Sequence, residues 1–321
     1  MEPNFTEIRV EGKTLKVPSA AIDGRTVIVK GKWVRMAAVM DEDLVEGEAV
    51  REPESFIRSL QLSGTAADLF TFAQGLTDVM PRHQYQMEWD NAAVVPITTY
   101  KEWWEKRLPQ ETRRNVKRAT KLGVVLKVAD FDDQFVNGII AIYNETPVRQ
   151  GRPFWHYGKG FEAVKAETST YLDRSQFIGA YHGEELIGFV KIVYAGGCAQ
   201  ILHILSKVCH ADKRPTNALI AKAVELCADK GLSYLVYCKY VYGNNDKSPL
   251  TEFKRRNGFE QLLYPRYYLP LTAKGKMVLK LKLHHGVINV LPKRLLAALL
   301  ALRKRYFDFL DRKSLTAAQA D

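Results

Sequence analysis

Short stretches of alternating apolar and polar residues open the chain. Between residues 5 and 40, Glu7-Ile8-Arg9-Val10 and Thr26-Val27-Ile28-Val29 are set off by Gly12, Gly24 and Gly31, a pattern that predicts a meander of strands. An acidic loop is expected over 41–54. Over 55–80, Phe56, Leu60, Leu69, Phe72 and Leu76 fall at mainly helical spacings, broken near Gly64 and ended by Pro81. Pro109 and Gly123 then bracket a short helix whose Arg113, Arg114, Lys117, Arg118 and Lys121 cover most faces, leaving Val116, Ala119 and Leu122 to pack.

From Val124 the pattern is fuller. A strand is expected at Val124–Val128, a helix through Phe135–Tyr143, a loop at 146–160 rich in Pro, Gly and aromatic residues, and a helix around Phe161–Thr168. Phe177–Tyr181 and Leu186–Tyr194 flank His182-Gly183-Glu184-Glu185, a hairpin signal. A strand at Ala199–Ser206 leads into a helix over 216–230, whose Leu219, Ile220, Ala223, Val224, Leu226 and Cys227 form a broad apolar face that must lie on a sheet. Tyr234–Tyr237 and Phe259–Leu269 read as further strands. Past Pro292, leucines on one side and cations at both ends make a basic amphipathic helix, suited to an anionic membrane surface, a partner or the protein's own sheet.

Charge changes this picture by where it sits. Of the net +11, residues 1–100 hold 10 basic against 15 acidic groups, 101–127 hold 9 against 3, 128–273 hold 17 against 15, and 274–313 hold 11 against 2. Two basic segments therefore stand ready for phosphates: a tRNA, a nucleotide cofactor or an anionic lipid surface. Cys198, Cys209, Cys227 and Cys238 form no C-x-x-C pair and lie in apolar surroundings, which fits a reducing compartment. The N-terminus lacks a secretory h-region and the longest apolar run, Leu295–Leu302, is too short to span a bilayer, so a cytoplasmic protein is expected, peripheral to the inner face of the membrane if the basic tail binds lipid.

The hairpin FIGAYHGEELIGFVKIVY, the strand ILHILSKV, the helix RPTNALIAKAVELCADKGL and the terminal TEFKRRNGFE resemble, in that order, the elements of GNAT-type acyltransferases over about 150 residues. ETRRNVKRATKLGVVL is similar to the junction between the two GNAT-like halves of Fem-type aminoacyltransferases and their acyltransferase relatives. The resemblance implies an α/β (α+β) chain of tandem GNAT-like folds, each a mixed sheet flanked by helices. It would comprise a degenerate first domain at 1–123, a complete catalytic domain at 124–273 and a basic tail at 274–321. It departs from acetyl-CoA users at Lys213-Arg214-Pro215-Thr216-Asn217-Ala218, where Pro215 supplies no N–H and no glycine lets a pyrophosphate approach.

Acyl transfer to an amine needs a neutral amine, a polarised carbonyl and a proton for the leaving group. The resemblance places the donor along Leu205, Ser206, Lys207 and Val208, with Lys213, Arg214, Thr216 and Asn217 near its phosphates. Lys254 stands four residues before Gly258, where the resemblance implies a lysine stabilising the developing oxyanion. Tyr237, Tyr240 and Tyr242 follow the buried strand; Tyr242 is a second catalytic candidate and Tyr237 an acceptor contact. Arg149, Arg152, Trp155 and Tyr157 combine forked cations with flat rings, a mixture suited to a phosphorylated or carboxylated acceptor. His203 has the neighbours of a core histidine, and His284-His285 finds no ligand partner at suitable spacing, so no metal is expected.

Three functions remain open on these residues. The first is an N-acyltransferase using acyl-CoA (acetyl-CoA among the candidates) on an amine of a sugar, peptide or envelope precursor; the second is a tRNA-dependent aminoacyltransferase. The third is a non-catalytic module binding RNA or anionic membrane. Oligomeric state is not set by the sequence.

Overall fold

The computed structural model describes residues 4–10, 13–243 and 246–286. The N-terminal meander is β1 (Asn4–Val10), β2 (Lys13–Ile22), β3 (Arg25–Lys30) and β4 (Met36–Val39). Helix α1 (Pro53–Leu62) follows, with Pro53 in its first turn, and then β5 (Leu69–Ala73) and β6 (Gln86–Pro96). The helical spacing read through Leu76 is thus corrected: Leu69 and Phe72 lie on a strand. β5 is buried on both faces, and a strand buried on both faces carries no period-2 signal. The same cause hides β6, whose Asp90-Asn91-Ala92-Ala93-Val94-Val95 stretch is small and mostly buried.

A short turn of helix, α2 (Tyr100–Glu102), leads to α3 (Gln110–Lys121). Gly123 takes φ +80° just beyond it, a left-handed conformation open to glycine at little cost. The second half contains β7 (Val124–Ala129), α4 (Asp133–Tyr143), a small hairpin of β8 (Val148–Arg149) and β9 (Arg152–Pro153), and α5 (Phe161–Thr168). Next come β10 (Ser175–His182), β11 (Glu185–Ala195), β12 (Cys198–Ser206), α6 (Pro215–Asp229) and β13 (Tyr234–Val236). Helix α7 (Pro249–Arg256), β14 (Glu260–Pro270) and α8 (Ala273–Lys280) complete the described chain. The amphipathic helix expected past Pro292 lies outside the described residues.

Twelve strands form one sheet in the order β1-β2-β3-β4-β5-β14-β6-β13-β12-β11-β10-β7. Within it the same unit occurs twice. Antiparallel β2-β3-β4 pass through α1 into β5, which pairs parallel with β4; antiparallel β10-β11-β12 pass through α6 into β13, which pairs parallel with β12. Each unit then sends its next strand to the other: β6 pairs with β13, and β14 pairs with β5. This exchange, with β14 also against β6, joins the two units into one continuous sheet. The second unit adds α4 and α5, packed around Phe135, Ile139, Phe177 and Phe189. The first has no counterpart to that pair among the described residues.

Alternation along the strands places α6 on one face, over Ala93, Val95, Ala199, Ile201 and Leu235. Ala92, Val94, Cys198 and Val236 face the other way.

Candidate active site

The site starts from a fork. β12 and β13 pair only over Cys198–Gln200 and Tyr234–Val236. Beyond that, the chain after β13 stays with β6, through Tyr237 N–H to Ala93 O and Ala93 N–H to Cys238 O, both 2.8 Å, and through Val241 N–H to the Asn91 side chain. β12 instead stays with β11 as far as Ser206. The strands diverge and leave the inner edge of β12 open. The proposed donor edge at Leu205–Val208 lies on this arm.

Lys254 reaches into the fork. Ser248 caps α7 by accepting from Thr251 N–H at 3.1 Å, and this orients the helix so that Lys254 is completely buried. Its Nζ donates to the Lys239 carbonyl and lies 4.8 Å from the centroid of the Tyr237 ring and 5.1 Å from that of Tyr242. Among the described residues no carboxylate pairs with it. Burial draws its pKa below the usual lysine range, while the two ring faces and the carbonyl favour the ammonium. The Tyr237 hydroxyl is pushed up to about 12 by burial, and that of Tyr242 is raised for the same reason.

Two cavities lie near the fork; Lys254, Tyr237 and Tyr242 line neither, but Cys238 and Lys239 line the first and Phe253 the second. The first, about 440 Å³, lies on the face opposite α6 and is lined by β12, the chain after β13, β14 and the acidic segment 42–49. Its charged groups are almost all paired. Arg266 binds Glu42 at 3.0 Å and Asp90 at 2.8 Å, Lys239 binds Asp90 at 2.8 Å, and Arg82 is held by Glu48 and Asp78. Burial raises Glu42, with Arg266 offsetting part of the effect. In Asp90 the same burial penalty is outweighed by Lys239 and Arg266, which hold its carboxyl below the usual range. Asp43 is the exception: it lines the cavity with no ion pair among the described residues, and although its surface is exposed to solvent, the surrounding protein raises its carboxyl through desolvation. Cys238, in a left-handed conformation at φ 51°, also lines this cavity, close to Lys254 and Tyr242.

The second cavity, about 320 Å³, opens where β12 passes into α6. Ser206, Arg214, Thr216 and Asn217 line it together with Thr112 and Asn115 of α3 and Asn257 beyond α7. Ser206 and Thr216 hydroxyls meet at 2.9 Å, and Asn217 donates to Asn257 at 2.8 Å. Arg214 enters α6 at φ 55°, a backbone region where glycine is the usual occupant. Outside the cavity, the amides of Val208 and Cys209 are taken by the Glu145 carboxylate at 2.6 and 2.8 Å. Arg114, Lys117, Arg118 and Lys121 project from α3 exposed, with no ion pair among the described residues.

The expected site residues separate accordingly. Lys254, Tyr237 and Tyr242 come together, as do Ser206, Arg214, Thr216 and Asn217. Leu205 packs toward α4, Lys207 pairs with Glu185 at 2.5 Å, Val208 is exposed and Lys213 pairs with Asp212 at 3.5 Å. Arg149 is tied to the carbonyls of Ser206 and Ile142, both at 2.9 Å, and to Glu145. Arg152, Trp155 and Tyr157 are exposed and, with Arg149, line neither cavity. The first cavity's own residues, Glu42, Asp43, Asn91, Gln200 and Arg266, were not singled out by sequence, and the acidic run at 41–54 was the one visible signal. The reading of His284-His285 is corrected as well: Glu88 of β6 meets both rings.

No protein-family profile and no curated protein matches the sequence. Solved structures do. The crystal structure of FemX superposes with a TM-score of 0.55 at 10% identity, over 86% of this chain and 90% of that one. L-PGS from Bacillus licheniformis gives 0.52 at 15% identity, over 82% and 88%, and a C-terminal domain assigned as a lysylphosphatidylglycerol synthetase from Agrobacterium fabrum gives 0.51 at 13%, over 82% and 87%. At these identities the likeness is one of fold. With the doubled unit, its two parallel strand pairs and the exchanged strands, it gives the chain a tandem GNAT-like, Fem-type fold.

Proposed function

We propose that this chain is a transferase that moves an aminoacyl group from tRNA to an amine held in the first cavity. The observation that carries this reading is Lys254: a buried ammonium with no carboxylate partner among the described residues, at a strand fork whose neighbouring residues line two cavities. The acceptor's neutral amine attacks the ester carbonyl carbon and the C–N bond forms. The carbonyl π pair moves onto oxygen, and Lys254 donates to that oxyanion. Asp43 takes the proton lost by the amine, a task suited to a carboxyl raised by desolvation. Collapse breaks the ester C–O bond, and the terminal ribose oxygen leaves with the proton that Asp43 gives back.

The choice of donor rests on the second cavity's surroundings. The unpaired cations of α3 suit a polyphosphate backbone, and its Thr112 and Asn115 line the cavity itself. Acyl-CoA is the second reading, favoured by Arg214 and Arg256 at the same cavity. Its pyrophosphate would have to rely on side chains, because Pro215 has no N–H and Glu145 already occupies two amides beside the loop. A non-catalytic RNA- or membrane-binding module would not explain an unpaired lysine buried at the fork. Action close to a membrane is compatible with this reading; no helix among the described residues is long and apolar enough to cross one.

Transfer is tested by following label from a charged tRNA pool, and in parallel from acyl-CoA, into amine-containing cell-extract fractions. Label should leave tRNA with wild-type protein and not with Lys254→Ala. Transfer from acyl-CoA alone would overturn the donor assignment, and equal transfer by both proteins would overturn the mechanism. Asp43→Asn should lower turnover by about 10²-fold. Because activity requires the ionised carboxylate, the wild-type rate should rise with pH through the elevated Asp43 pKa, and the variant should lose that limb. Arg114→Glu with Arg118→Glu should weaken tRNA binding and flatten its salt dependence, by about one unit of slope per lost phosphate contact.

A further inference from the structure

We infer that Glu88, His284 and His285 form a site for a divalent transition-metal ion, of which Zn2+ is the type. The three come from places far apart in sequence: Glu88 from β6, and the two histidines from the turn that follows α8. That turn is set by backbone geometry. Lys282 enters it at φ 55° and Gly286 leaves it at φ 94°, so consecutive histidines turn toward the same strand. His284 Nε2 lies 2.9 Å from one Glu88 oxygen and His285 Nε2 lies 2.5 Å from the other. All three donor groups offer a ligand atom within 4.8 Å of one another.

The donor set selects the ion. Two imidazole nitrogens and one carboxylate oxygen suit Zn2+ and its transition-metal neighbours, whereas Mg2+ and Ca2+ favour all-oxygen shells. Ligand bonds of about 2.0–2.2 Å in a tetrahedron separate donors by roughly 3.3 Å, so an ion needs only a modest opening of the present contacts. His285 can supply it, because its side chain is 44% exposed, and Glu88 is 30% exposed. His284 is the fixed member. Its side chain is fully buried, with the ring 4.7 Å from that of Tyr268 and 4.0 Å from that of His285.

The surroundings also set the strength. Metal-bound histidines normally donate their second ring N–H to an outer acceptor. His284 Nδ1 is buried with no hydrogen-bond partner among the described residues, and Lys282 adds a nearby positive charge. Loss of such an outer contact weakens metal sites by about 10–100-fold, which points to an affinity in the micromolar range. The consequence is structural. A bound ion would pin the start of the basic C-terminal segment to β6, a strand shared by both halves of the sheet.

The test uses the full chain, stripped with chelator and titrated with Zn2+ and with Co2+. One equivalent should bind, with a Co2+ spectrum free of thiolate charge transfer. Glu88→Gln, which keeps the side chain's shape but turns one carboxylate oxygen into an NH2 donor, and His285→Asn, at the exposed position, should each lower affinity at least about 10-fold with unchanged far-UV circular dichroism. Failure of wild-type protein to bind, equal affinity in wild type and both variants, or a thiolate band from Cys209 or Cys238 would overturn the proposal. None of these readouts depends on transferase activity.

Discussion

Among the described residues two lysines are completely buried, and they sit in different company. Lys191, on β11, donates to the Thr168 carbonyl at 2.8 Å, to the Thr170 carbonyl and to the Thr170 hydroxyl at 3.1 Å. Three oxygens use all three of its N–H bonds, and neither cavity reaches it. Lys254 has one carbonyl and two aromatic faces, and its acceptor Lys239 and its chain neighbour Phe253 each line a cavity. Both are depressed by burial, Lys191 to about 8. The difference lies in saturation. An ammonium whose donors are all engaged stitches α5 and the following turn to the sheet, while one with donors to spare can meet an oxyanion that exists only during reaction.

The largest expected effect breaks the pair apart. Lys254→Met should reduce turnover by about 10²–10³-fold, the cost of removing one oxyanion donor, with donor and acceptor affinities nearly unchanged. Lys191→Met should leave turnover within about 2-fold, since its three donors are engaged by Thr168 and Thr170 away from the fork. Steady-state rates with each variant decide the matter. A comparable loss in both would mean that burial alone, rather than spare donors, marks the catalytic lysine.

A smaller effect sharpens the structural half. Thr170→Val removes one acceptor from Lys191 and should cost about 1.5–3 kcal/mol in urea unfolding, the range for a hydrogen bond to a charged group. Turnover should not move. Were the substitution neutral for stability, the three-oxygen cradle would not be what holds Lys191 in place.

How far this contrast could be read from sequence depends on the element. The second unit was legible almost strand for strand, because β10 and β11 meet at a glycine turn and α6 carries a broad apolar face between Pro215 and Gly231. Lys254 was reachable through its place before Gly258. The exchange of β6 and β14 was not, since strand order across a sheet leaves no periodic trace and the Ala92–Val95 end of β6 is too uniformly buried to alternate. The first cavity was hidden for the same reason: Glu42 and Arg266 are separated by most of the chain and meet only once β14 lies beside β6. Lys191 gave no signal. A lone lysine in an apolar strand looks the same whether its partners are carbonyls or solvent.

The last test asks whether Lys191 pays for its burial as an ammonium. In the unfolded chain its pKa returns to the ordinary value of 10.5, against about 8 in the folded state. Between those two pH values the unfolded state holds a proton that the native state has released, so stability must rise with pH across the window. Below it the charged form is present in both states and its desolvation weakens the fold throughout. Other groups titrate in the same range, and Lys191→Met serves as the reference that cancels them. The wild-type urea midpoint, measured relative to that variant, should climb steadily from about pH 8 to about pH 10.5. A flat difference would mean that the three oxygens offset burial completely. Saturation would then abolish the pKa depression, and Lys254, with a single carbonyl, would be the only one of the two to feel it.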